Sequence, residues 1–146
     1  MMKRRGTALA AVTMIGLLLP GASHGQDPIA ARQEGFKASK AAMGAIKDIV
    51  ASGGPVDAVV PHAEKLHHVA LAVPGLFPAG SDQGKTEAKT TIWSDAAGFA
   101  AASARFQTAS EALLAAAQAG DAVAVKARFG EVGSSCKSCH DSYRAE

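Results

Sequence analysis

Apolar side chains recur every seven residues from Ile29 through Phe36 and Met43 to Val50, with Gln33, Ser39 or Lys40, and Ile46 between them. That spacing predicts a helix with one apolar face. Asp27-Pro28 supplies a cap and a proline for its first turn, and Ser52-Gly53-Gly54 ends it. A second helical segment runs from Pro55 to about Val73, carrying Val59, Val60, Leu66, Val69 and Leu71. Pro61 lacks an amide hydrogen and clashes one turn back, so the helix either kinks there or starts there. Pro74 to Lys85 is irregular, and Leu76 and Phe77 are expected to pin it to the core. A third segment, capped by Thr86, is expected to continue to Ala119, with Gly98 bending it slightly. Gly120 stops that segment and Asp121 caps the fourth, where Val125, Phe129, Val132, Cys136, Cys139 and Tyr143 follow at steps of four and three. This is the sharpest stripe in the chain. Short connections force antiparallel neighbours, and four one-sided helices bury their stripes best as an all-α, up-down four-helix bundle.

Composition supports one helical domain. The chain has 146 residues, 48% apolar and only 5% aromatic, with alanine prominent and runs of β-branched residues nearly absent. Two cysteines are too few for a disulfide-stapled fold. Charge and polarity at the N-terminus change the picture more. Lys3, Arg4 and Arg5 precede an uncharged run from Thr7 to Leu19, then Pro20-Gly21 and small residues at Ser23 and Gly25. This is the pattern of a secretory signal peptide over residues 1–25, cut before Gln26 and leaving a domain of residues 26–146. The run is too short for the roughly 20 residues of a spanning helix. The expected location is the periplasm, with no membrane insertion after cleavage. Without the three leading cations, twelve basic residues face thirteen acidic ones, so no basic patch argues for nucleic acid.

Cys136-Lys137-Ser138-Cys139-His140 is C-x-x-C-H, the attachment sequence of a c-type haem. On a helix, residues three apart share a face, so both sulfurs reach the two vinyl groups of one porphyrin. His140 projects nearby with a nitrogen for iron. Attachment also withdraws both thiols from disulfide chemistry in an oxidising compartment. The competing readings are poorer. A thioredoxin-like pair belongs at a helix start after a strand, and no strand pattern is present. Zinc needs two further ligands, which only scattered histidines could supply. A disulfide between residues three apart on a helix has poor geometry. His62, His67 and His68 read as solvent-facing positions of the second helix, Phe99, Phe106 and Phe129 as core, and Trp93 as core or a porphyrin-edge contact.

A C-terminal C-x-x-C-H on the last helix of an exported bundle resembles cytochrome c′. Three stretches carry the resemblance in order: Ala31-Arg32-Gln33-Glu34-Gly35-Phe36-Lys37, Pro74 to Trp93 with its Leu76-Phe77-Pro78, and Cys136 to Arg144. The resemblance implies one haem c per subunit, covalent through Cys136 and Cys139, with His140 as metal ligand. It implies propionate contacts for Arg32, Gln33, Thr86 and Glu87, a place for Arg144 beside His140, and a homodimer through the first two helices.

If Arg32 meets a propionate, Phe36, one turn on, falls near the porphyrin centre on the side opposite His140. A phenyl ring has no lone pair for iron, so the expectation is five-coordinate, high-spin iron in an apolar distal pocket. No hydrogen-bond donor for bound dioxygen is evident, which favours NO and CO. Electron transfer is a further expected role, with an unknown redox partner. The alternative is a six-coordinate, low-spin electron carrier of the cytochrome c-556 type. Met43 is its candidate ligand, but it stands about 10.5 Å beyond Phe36 along the helix. An enzyme such as a peroxidase would want a distal base, and none is seen, so the chain is expected not to be an enzyme.

Overall fold

The computed structural model describes residues 27–146, so the expected export segment and its cleavage bond lie outside the described residues. The elements are α1 (Pro28–Ser52), α2 (Val60–Ala72), a single helical turn α3 (Thr91–Ser94), α4 (Ala96–Gln118) and α5 (Ala122–Tyr143). Two 3-10 turns, Val56–Val59 and Val73–Leu76, flank α2. The four long helices form the expected up-down bundle, with α4 packed on α2 and α5, and α1 on α2. Among the described residues, no helix is long and apolar enough to cross a membrane.

Two of the expected caps form. Asp27 accepts from the Ile29 amide at 3.0 Å and Asp121 from the Ala124 amide at 2.9 Å. Gly53 closes α1 at φ 65°, a left-handed conformation that glycine adopts without a Cβ clash. Pro61 starts α2 rather than kinking it, because a first-turn proline gives up an amide that has no helical partner.

The third segment differs from expectation. Thr86 does not cap a helix: its hydroxyl accepts from the Ala88 amide at 3.1 Å, a local turn that competes with helix formation. The long helix opens ten residues later, where Asp95 accepts from the Gly98 amide at 3.2 Å. Gly98 is therefore not a mid-helix bend. A Cβ there would lie 2.5 Å from the Tyr143 hydroxyl and closer still to the Asp95 carboxylate, so α4 needs glycine at this crossing.

Ile46, Leu66, Leu113, Val125 and Val132 form the fully buried centre. Each contributes roughly 1.5–3 kcal/mol on burial. Ala63, Ala70, Ala102 and Ala117 let the helices approach closely around them. On α1 the buried positions are Arg32, Ser39, Ala42 and Ile46. Of the seven-residue stripe, Met43 and Val50 pack at the edge of this core, and Phe36 and Met43 line a cavity. Phe77 is pinned as expected, with its ring 5.0 Å from Phe99 and 6.2 Å from Trp93. His62 and His67 are half-buried rather than solvent-facing, His67 with its Nδ1 3.2 Å from the buried Ser110 hydroxyl, while His68 is exposed as expected.

The C-terminal end of α5 is fastened to the segment before α3. Ala88 and Arg144 form an antiparallel bridge. The Lys89 amide donates to the Tyr143 carbonyl at 3.0 Å, and the Ala145 amide to the Glu87 carbonyl at 2.7 Å.

Candidate haem site

A cavity of about 850 Å³ opens between α1 and the C-terminal half of α5. Its buried wall is the face of α4 carrying Phe99, Ala102, Ser103 and Phe106. The volume falls within the roughly 300–1,000 Å³ of small-molecule sites. All nine sequence-predicted site residues line it: Arg32, Gln33, Phe36, Thr86, Glu87, Cys136, Cys139, His140 and Arg144.

On α5, Cys136 and Cys139 are half-buried and unpaired. Burial pushes both thiols above their ordinary pKa, and at Cys139 the neighbouring Cys136 adds to the effect. They are held as thiols rather than thiolates at neutral pH. Burial is also the largest cause that lowers His140, followed by the positive charge of Arg144, with Asp141 and Glu87 opposing. Both main causes favour the neutral imidazole, the form with a lone pair for a metal. Phe36 faces His140 edge-on, with ring centroids 6.5 Å apart.

Arg32 is only 3% exposed. Its terminal nitrogens donate to the Ser81 hydroxyl at 3.0 Å, the Ser81 carbonyl at 2.7 Å, the Thr86 hydroxyl at 2.7 Å and the Leu76 carbonyl at 3.4 Å. Its guanidinium also lies 4.9 Å over the Phe77 ring. The sequence reading missed this loop-anchoring role, since Ser81 has no motif to announce it. Beside it, Gln33 donates to the Lys85 carbonyl at 2.8 Å. At the opposite rim, Arg144 Nε and Glu87 Oε2 pair at 2.6 Å. Trp93 does not line the cavity; its indole N–H donates to the Phe77 and Pro78 carbonyls, each at 3.1 Å. Phe99 and Phe106 are both core and cavity wall, whereas Phe129 is core-facing only.

Two further features were not foreseen. Tyr143 donates to Asp95 Oδ2 at 2.8 Å, joining the end of α5 to the start of α4. Ser103 places a buried hydroxyl without a partner on the cavity wall. An apolar slot, two thiols and a neutral imidazole on one wall, and an unsatisfied buried hydroxyl on another together fit a covalently held haem.

The family model described as Cytochrome C' matches residues 27–144. A cytochrome c′ of Alcaligenes xylosoxydans xylosoxydans is 36% identical over 121 residues, covering 82% of this chain and 94% of the relative. A cytochrome c-556 of Agrobacterium fabrum is 32% identical over 141 residues, covering 93% of each. Among solved structures, the nitric oxide complex of a variant cytochrome c′ from Alcaligenes xylosoxidans superposes with a TM-score of 0.76 at 34% identity, covering 82% of this chain and 94% of that one. With the fold, the motif and the cavity in agreement over nearly the whole described chain, the protein belongs to the cytochrome c′ family.

Proposed function

We propose that this chain is a periplasmic haem protein that binds small diatomic gases, NO and CO above all, and exchanges electrons in a secondary role. The observation that carries the reading is the placing of Cys136, Cys139 and His140 on one wall of an apolar cavity, with Phe36 facing the histidine. The nitric oxide complex of a structural neighbour supports the choice of ligand class. When bound, haem supplies an iron that takes diatomic ligands and changes oxidation state.

The chain's own residues do the rest. Cys136 and Cys139 would hold one haem through thioethers, and His140 would give it one protein ligand. Phe36, facing His140, has no lone pair to offer, so His140 would be the sole protein ligand. Gln33, Thr86 and Glu87 edge the cavity where propionates would lie, and Arg32 can add its Nε, since its other nitrogens hold the loop. Arg144, half-exposed beside Glu87, sets the charge next to His140.

A second reading keeps a foothold because Met43 also lines the cavity and a cytochrome c-556 aligns over most of the chain. It is the six-coordinate, low-spin electron carrier. One experiment separates the two: the spectrum of the ferrous protein with and without NO. Broad high-spin bands that change on adding NO support the gas binder. Sharp low-spin bands in the resting protein would replace it with the carrier. Intact mass after acid-acetone extraction checks attachment, and extractable haem or a Cys136–Cys139 disulfide would refute it.

A further inference from the structure

Among the described residues, Ser103 Oγ is the one buried side-chain polar atom without a hydrogen-bond partner. The residue is 3% exposed and lines the cavity. Leaving a hydroxyl buried and unpaired is unfavourable, and a helical serine has an easy remedy: it can donate to a carbonyl one turn back. Ser39, Ser110 and Ser135, all buried or half-buried in helices, do so, donating to Gly35, Gln107 and Val132 respectively. Ser103 does not. Its partner must arrive with whatever fills the cavity.

The helix register locates that partner. The rings of Phe99 on α4 and Tyr143 on α5 meet at 5.3 Å. Four residues along each of these antiparallel helices, about 6 Å of axial rise, lead to Ser103 and Cys139. Ser103 therefore stands at the level of Cys139 and His140. The rings of Phe36, Phe77 and Phe99 follow one another at 6.3 and 5.0 Å, starting from Phe36, which faces His140. Ser103 follows Phe99 by one turn on that same face.

We propose that Ser103 donates a hydrogen bond to a diatomic gas bound at the haem iron. This rests on the haem reading above but not on the coordination state of the resting protein. Ser103 is thus a specificity-determining residue. The expected disfavour of dioxygen stood on the lack of a donor, and this hydroxyl provides one.

The test is the infrared C–O stretch of the ferrous CO adduct of the intact holoprotein, in H₂O and in D₂O. The wild-type stretch is expected to move on deuteration, because the hydroxyl proton exchanges. In Ser103→Ala the stretch rises in frequency and the deuterium response disappears; Ser103→Thr, which keeps the hydroxyl, restores both. CO dissociation from Ser103→Ala speeds up about two- to twelvefold, the factor corresponding to a net hydrogen bond of about 0.5–1.5 kcal/mol. Alanine favours the helix, so the variant keeps its fold. An identical stretch in wild type and Ser103→Ala would overturn the proposal, as would a deuterium response that survives in Ser103→Ala. A low-spin resting spectrum would overturn the five-coordinate reading alone, since CO displaces a weak protein ligand and its stretch still reports on Ser103. Absence of haem from the purified protein would overturn both.

Discussion

Arg32 illustrates how one side chain can serve two structures. Its guanidinium is buried, and replacing it with leucine strands the Ser81 carbonyl and hydroxyl and leaves Thr86 only its bond from the Ala88 amide. Arg32→Leu is expected to lower unfolding stability by about 3 kcal/mol, the scale of breaking a buried charged network. Lys37→Leu, at an exposed position of the same helix, should stay within about 0.5 kcal/mol. Chemical denaturation of the two variants makes the comparison, and equal losses would refute the anchoring role. Phe36 gives a prediction of another kind. Because its ring is only partly covered by protein, Phe36→Ala should cost stability modestly while CO and NO associate faster. Met43→Leu should leave the resting spectrum unchanged; a shift from six- to five-coordinate bands would transfer the ligand role to Met43. At this scale the sequence was most legible where chemistry is local. Cys136, Cys139 and His140 are fixed by spacing on one helix. Ser103 was legible only as a polar residue among Phe99, Ala102 and Phe106 on one face, a signal without a partner to give it meaning.

Helices were readable wherever a cap sits beside its own first turn, as at Asp27 and Asp121. The start of α4 was not, because Thr86 and Asp95 are both sound caps in isolation. Arg32, more than fifty residues away in sequence, occupies the Thr86 hydroxyl, whereas Asp95 gains Tyr143. The face of α1 was misassigned for a related reason. Beside Ile46, its core stripe is built from Arg32, Ser39 and Ala42, and two of these, Arg32 and Ala42, carry no apolar bulk to mark them, while Phe36 and Met43 look into the cavity. The link between α5 and α4 through Tyr143 and Asp95 also carries a pH dependence. The hydrogen bond that Tyr143 donates to Asp95 is the largest cause that raises its pKa above 10.0, followed by burial and the Asp95 charge. The folded protein then holds this proton more tightly than the unfolded chain. The stabilisation is complete below the ordinary tyrosine pKa and is lost as pH rises through the higher folded value. Wild-type protein should therefore lose stability on an alkaline limb above about pH 10. Tyr143→Phe should flatten that limb in denaturation measured across pH, and an unchanged limb would show that another group causes it.

The whole molecule is a bundle closed tightly at its centre and held open on one side. Leu71 is 57% exposed on α2, and the family resemblance directs subunit contact to α1 and α2. A charge placed there should oppose pairing without touching the core: Leu71→Lys is expected to sediment as a monomer at concentrations where the wild type is a dimer. A wild-type monomer, or a variant dimer of equal strength, would move the contact elsewhere.

The segment between α2 and α3 is tied at one end to α1, through Arg32, and at the other to α5, through the bridge at Ala88 and Arg144. It spans the mouth of the cavity like a strap buckled on both banks. A group that fills the cavity would rest against Lys85, Thr86, Glu87 and Ala88, the part of this strap that lines it, and so restrain it further. Cofactor loading should consequently be audible far from the iron, as a change in how readily a protease cuts the exposed stretch around Gly80 and Gln83 before and after the haem is in place.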